Sequence, residues 1–132
     1  MSIFRKLEVG CGLATALLGF AAAAEMFIEA MNVTRELHGE FNAFEATLVV
    51  SVIYLLPGLL IARASYVHAS RARTWGIPVI IVCSLFLATT FLLLLFGGVY
   101  HEPNLVFWID FAVPSLAIAT MAISIIVRFQ EH

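Results

Sequence analysis

Four long apolar segments alternate with short polar connections along this chain. The apolar segments run from about 9 to 31, 44 to 64, 77 to 99 and 105 to 127. Each can cross a bilayer, because a spanning helix needs roughly 20 mostly apolar residues at 1.5 Å rise per residue. The run TFLLLLFGG in the third segment has none of the alternation of a half-buried strand. The pattern predicts an all-α integral membrane protein, a single transmembrane domain over residues 1–132 built as a four-helix transmembrane bundle.

The basic residues lie almost entirely on one side of this arrangement. Of the 7 lysines and arginines, only Arg35 falls on the other side. The remaining ones are Arg5, Lys6, Arg63, Arg71, Arg73 and Arg128. Because cytoplasmic loops carry the excess of Lys and Arg, both termini are predicted to face the cytoplasm, in a bacterial or archaeal plasma membrane. Arg63, Arg71 and Arg73 are then expected to reach the lipid headgroups along their aliphatic stems.

Composition supports the membrane assignment. Apolar residues make up 62% of the chain and charged residues 12%, whereas a soluble domain has roughly 25% charged residues. The net charge of −2 and the lack of a basic run argue against a nucleic-acid partner. The basic start followed by an apolar run ending in AAAAE also fits a signal peptide. We favour a retained first helix, because the four segments then form an even bundle.

Carboxylates interrupt the apolar pattern at the outer side of the predicted bundle. Glu25 and Glu29 stand four residues apart in FAAAAEMFIEA and form one helical stripe with Asn32 and Glu36. Asp110 lies at a similar predicted depth in the fourth segment. Charge in hydrocarbon is costly and often marks function. The tentative cation or proton site is Glu25, Glu29, Asp110 and the loop residue His101.

Two alternatives to that site stay open. The first helix can simply project from the membrane, so that its outer turns are wet and its carboxylates are solvated. The same residues can also supply a mixed oxygen and nitrogen metal site. No HxxxH or ExxH pair is present in the sequence, so neither a metal nor another cofactor is predicted.

Small residues form a second stripe on the first helix, rotated away from the acidic one. Such residues let helices approach closely, so this small-residue face is the predicted packing surface. Its members are Gly12, Ala16, Gly19 and Ala23. On the second segment, Ser51 and Tyr54 share a face suited to interhelical hydrogen bonds, and Pro57-Gly58 predicts a kink. His38, His68 and His132 are predicted to be solvated.

Catalytic motifs are missing from the sequence, and we predict that the chain is not an enzyme. It contains no GxSxG, phosphate-binding loop or HExxH. The favoured hypothesis is a subunit or accessory protein of a membrane complex, in contact with the lipid bilayer and with other membrane subunits or copies of itself. The alternative is a small oligomeric channel or transporter for a cation or a cationic solute, in which the outer carboxylates concentrate that species.

Overall fold

The computed structural model describes residues 3–71, 76–97 and 105–130, and these are helical apart from short turns. The helices are α1 (Ile3–Glu36), α2 (Ala43–Val50), a π-helical turn (Ser51–Leu55), α3 (Leu56–Arg71), α4 (Gly76–Phe96) and α5 (Leu105–Gln130). Since α2, the π-helical turn and α3 are continuous, the described residues contain 4 helices long and apolar enough to cross a membrane. This confirms the all-helical prediction, although α1 extends beyond the predicted 9–31 at both ends.

The helices form a four-membered bundle in which sequence neighbours run antiparallel. Helix α1 packs against α3 and α5, and α4 packs against the same two helices. The starts of α1 and α4 therefore share one end of the bundle with the ends of α3 and α5. We call this the basic end, because it carries Arg5, Lys6, Arg63 and Arg128. The opposite end, which carries Glu25, Glu29, Glu36 and Glu45, is the acidic end.

Small residues bring α1 and α3 into close contact. A Cβ added at Gly12 would collide with the Ser65 hydroxyl, and one added at Gly19 would lie 3.0 Å from the Tyr54 carbonyl oxygen. From the other side, a Cβ at Gly58 would lie 3.2 Å from the Cα of Ala16. The small-residue face of α1 is therefore occupied by contacts within the chain itself.

The kink expected at Pro57-Gly58 takes the form of the π-helical turn just before it. The Leu56 N–H donates to the Ser51 carbonyl, five residues back. Proline has no N–H, and its ring crowds the carbonyl four residues earlier, which here belongs to Ile53. The wider π-helical turn leaves room for the Ile53 carbonyl next to the Pro57 ring. Pro114, by contrast, lies inside α5 without ending it.

Local signals delimit the connection between α1 and α2. His38 takes a left-handed backbone with φ 57°, and the next N–H, that of Gly39, donates to the Thr34 carbonyl at 3.0 Å. This closes the last turn of α1. The Asn42 side chain then accepts hydrogen bonds from the backbone N–H groups of Phe44 and Glu45, so it caps the start of α2.

Candidate functional site

A carboxylate, an imidazole and a hydroxyl meet inside the bundle at the basic end. His68 Nδ1 lies 2.7 Å from Glu8 Oε1, and Ser124 Oγ donates a 2.6 Å hydrogen bond to the same oxygen. Glu8 and Ser124 are 0% exposed and His68 is 4% exposed. We call these three residues the Glu8 cluster. It joins α1, α3 and α5, so residues far apart in sequence form one buried polar contact.

Close helix packing positions the Glu8 cluster. Glu8 precedes Gly12 by one helical turn, so its side chain lies on the inward face of α1. The first residue of α4, Gly76, packs against α3 next to the cluster. A Cβ at Gly76 would lie 3.3 Å from the Cβ of His68 and 2.7 Å from the Ala64 carbonyl oxygen. All four long helices thus meet around these side chains.

Hydrogen bonding leaves the Glu8 carboxylate half satisfied. The Ser124 hydroxyl donates to Oε1, and His68 donates to the same oxygen when its proton is on Nδ1. Glu8 Oε2 is buried and has no hydrogen-bond partner among the described residues. An unsatisfied buried polar group costs about 1–3 kcal/mol, and more when it is charged. The second oxygen is therefore the atom of the cluster whose lost hydration no described group replaces.

The prediction that His68 is solvated is wrong. The sequence places it in a basic loop after an apolar segment that ends near residue 64, but α3 continues to Arg71. Glu8 was missed as a site residue because it precedes the predicted start of the first segment at residue 9. One sequence signal does point to Glu8. It lies four residues before Gly12, on the same helix face that is predicted to pack against another helix.

A second buried polar pair lies toward the acidic end. Asp110 on α5 is 6% exposed, and Tyr54 in the π-helical turn is 2% exposed. The two groups interact electrostatically. The Tyr54 hydroxyl has no hydrogen-bond partner in the described part of the chain, so the interhelical hydrogen bond predicted for it is not formed there.

The two polar sites are separated along the bundle axis. Tyr54 precedes His68 by 14 residues on the α2–α3 helix, and Asp110 precedes Ser124 by the same interval on α5. Because the two helices run in parallel, the Tyr54–Asp110 pair lies about 21 Å from the Glu8 cluster at 1.5 Å rise per residue. The bundle therefore holds ionisable groups near both of its ends.

The residues predicted for the outer site have different surroundings. Glu25 is half-buried, and its Oε2 is buried without a hydrogen-bond partner among the described residues. Glu29 is exposed on the same helix. His101 lies outside the described residues. Among those that are described, no group of three or more His, Cys, Asp or Glu side chains could hold a metal ion.

The other predicted contacts can be placed only in part. Arg63 is exposed on α3, which is compatible with a headgroup contact. Arg71 is the last residue of α3, and Arg73 lies outside the described residues. On the small-residue face, Gly12, Gly19 and Ala23 are buried and Ala16 is half-buried.

Buried hydroxyls occupy the interior between the two polar sites. Thr15, Ser65 and Thr120 donate to carbonyl groups of their own helices. Ser84 of α4 instead donates to the Ala117 carbonyl of α5 at 3.0 Å. The interior thus contains two buried carboxylates, Glu8 and Asp110, with hydroxyl groups between them. Neither a known protein family nor a curated protein nor a solved structure matches the chain.

Proposed function

We propose that this chain is a four-span integral membrane protein, with both termini in the cytoplasm, that passes a proton or a small cation across the bilayer. The observation that carries the proposal is the burial of Asp110, within electrostatic reach of Tyr54, inside a bundle that is apolar enough to span a membrane. Ionisable side chains within membrane-spanning segments are costly, and they commonly mark ion or proton pathways.

Each group at the acidic end has a role in this proposal. Glu25 and Glu29 attract cations from solution, and Asp110 is the binding carboxylate deeper in the bundle. Tyr54, whose hydroxyl has no hydrogen-bond partner in the described structure, is available to donate to a bound species or to the carboxylate. Four helices enclose too little space for an aqueous pore, so the path lies between protomers or opens by rocking of the helices.

The π-helical turn gives this site a means of movement. Tyr54 belongs to the turn, and π-helical turns often occur at functional sites. A shift of the wide turn along its helix would rotate Tyr54 relative to Asp110. Binding and release at Asp110 can then be coupled to that rotation.

Proton or cation flux into liposomes tests the proposal. The purified chain is reconstituted with an internal pH dye or a cation-sensitive dye, and a potassium diffusion potential drives uptake. We expect Asp110→Asn to lower the flux at least tenfold, whereas the control Glu36→Gln, at an exposed carboxylate on α1, leaves it unchanged. Wild-type flux no greater than that of empty liposomes, for protons and for several cations, would overturn the proposal.

A second candidate function is that of a subunit or accessory protein in a membrane complex. The observation that favours it is that the buried hydroxyls of Thr15, Ser65 and Thr120 already donate to carbonyl groups of their own helices. The surface that binds the partner would then be the exterior of the bundle, where α4 exposes Phe86, Leu93 and Phe96. Native mass measurement after mild-detergent extraction tests this function. Recovery with another subunit or as an oligomer supports it, and a lone monomer counts against it.

A further inference from the structure

We propose that Glu8, His68 and Ser124 form a buried proton-binding site at the basic end, in which His68 relays a proton to the Glu8 carboxylate. The site lies about 21 Å, or 14 residues at 1.5 Å rise, from the Tyr54–Asp110 pair. The inference goes beyond the proposed transport function and does not depend on it, because proton binding here can be measured whether or not the chain carries flux.

The two oxygens of the Glu8 carboxylate are unevenly hydrogen-bonded. Both potential donors of the cluster converge on Glu8 Oε1, at 2.7 Å from His68 Nδ1 and 2.6 Å from Ser124 Oγ. An anionic carboxylate divides its charge between its two oxygens, but Oε2 is buried and meets no donor in the described structure. Protonation removes that uncompensated charge, which makes the neutral carboxyl a natural second state of this site.

Of the three side chains in the cluster, only His68 has any exposed surface, at 4%. The relay therefore takes the imidazole as the entry point for the proton. A proton from hydronium adds to Nε2 and leaves water behind. The Nδ1–H bond then breaks as an O–H bond forms at Glu8 Oε1. The imidazole ends neutral in its other tautomer, the carboxyl ends neutral, and the site has gained one proton.

The charged groups around the cluster are basic. Arg5 and Lys6 precede Glu8 on α1, Arg63 precedes His68 by five residues on α3, and Arg128 follows Ser124 by one turn on α5. The first titratable residue of α4 is the buried Cys83, seven residues after Gly76. Glu8 is the one acidic residue at the basic end among those described, so no second carboxylate competes for the proton.

Infrared difference spectroscopy of the full chain in lipid vesicles tests the proposal directly. The sample is titrated from about pH 3 to about pH 10, the range in which carboxyl and imidazole groups of proteins generally change charge. We expect a protonated-carboxyl C=O band that changes with pH, is lost in Glu8→Gln and persists in Glu36→Gln. Ser124→Ala should shift its frequency by removing a hydrogen bond to Oε1. Ser115→Ala, at an exposed hydroxyl bonded within α5, should leave it in place.

A measurement on the wild-type chain covers the case in which a variant does not fold. Imidazole ¹⁵N signals distinguish the two neutral tautomers and the cation, and His38→Asn removes an exposed histidine to help assignment. The relay predicts that the His68 Nδ1 signal changes from its protonated to its unprotonated position as Glu8 takes up the proton. A His68 Nδ1 signal that stays constant over the titration would show a purely structural clamp and overturn the proposal.

Discussion

At the scale of single residues, the most informative side chain is Glu8. A carboxylate that is 0% exposed needs hydrogen bonds to offset its lost hydration, and His68 and Ser124 supply them from two other helices. Removing one partner from a buried charge network is strongly destabilising, even though the intact network is often no more stable than well-packed apolar side chains. Substitutions in the Glu8 cluster should therefore destabilise the chain far more than substitutions of similar polar groups on the surface.

Ser124→Ala gives the cleanest residue-scale prediction. It removes one of the two donors to Glu8 Oε1, so we expect the free energy of unfolding to fall by about 1–3 kcal/mol. Ser115→Ala is the matched control on the same helix, because the Ser115 hydroxyl is exposed and bonds only to the Phe111 carbonyl in the described structure. Unfolding by SDS in mixed micelles measures both. Equal stability of the two variants would show that the Ser124 hydrogen bond contributes nothing.

At the scale of helices, the fold depends on how closely α1 approaches α3. Gly12 touches Ser65, and Gly19 approaches the Tyr54 backbone. These contacts set the rotation and height of α1, and through them the position of Glu8 beside His68. The small residues thus serve the polar cluster as well as the packing.

Gly12→Ala tests this dependence. The added methyl group collides with the Ser65 side chain, and overpacking of this kind costs about 1–3 kcal/mol. Gly10→Ala is the control, because a Cβ there has no atom within 4 Å among the described residues. It should be neutral or stabilising by up to about 1 kcal/mol, since alanine favours the helix. Thermal unfolding in detergent ranks the stability of the two variants. A Gly12→Ala chain as stable as the Gly10→Ala chain would contradict the close contact.

At the scale of the whole molecule, charge is divided between the two ends of the bundle. Arginines and a lysine mark the end with the Glu8 cluster, whereas all the described acidic residues except Glu8 lie toward the other end. Because basic flanks generally stay in the cytoplasm, this division predicts that the basic end faces the cytoplasm. Under this orientation the Glu8 cluster faces the cytoplasm, and Asp110 lies toward the outside.

Topology reporters test the orientation. After residue 70, a reporter that works only in the cytoplasm should be active. After residue 38, a reporter that works only outside the cytoplasm should be active. The reason is the bias of six basic residues against Arg35. A cytoplasmic signal from the fusion at residue 38 would show that the charge bias does not set the topology.

The sequence alone was sufficient to predict the helices. A helix satisfies its backbone hydrogen bonds locally, so segment length and hydropathy reveal it without knowledge of its neighbours. The inward-facing small residues and the ionisable Asp110 were also recognisable, because helical spacing and the cost of charge in an apolar segment are local properties.

Only the tertiary structure decided what those helices bring together. It pairs Glu8 with His68, 60 residues away, and with Ser124, 116 residues away. No local pattern records these contacts, because they depend on how each helix is rotated about its axis. That rotation is set by the close fit of Gly12 to Ser65 and of Gly76 to His68, which exists only once all four helices are packed.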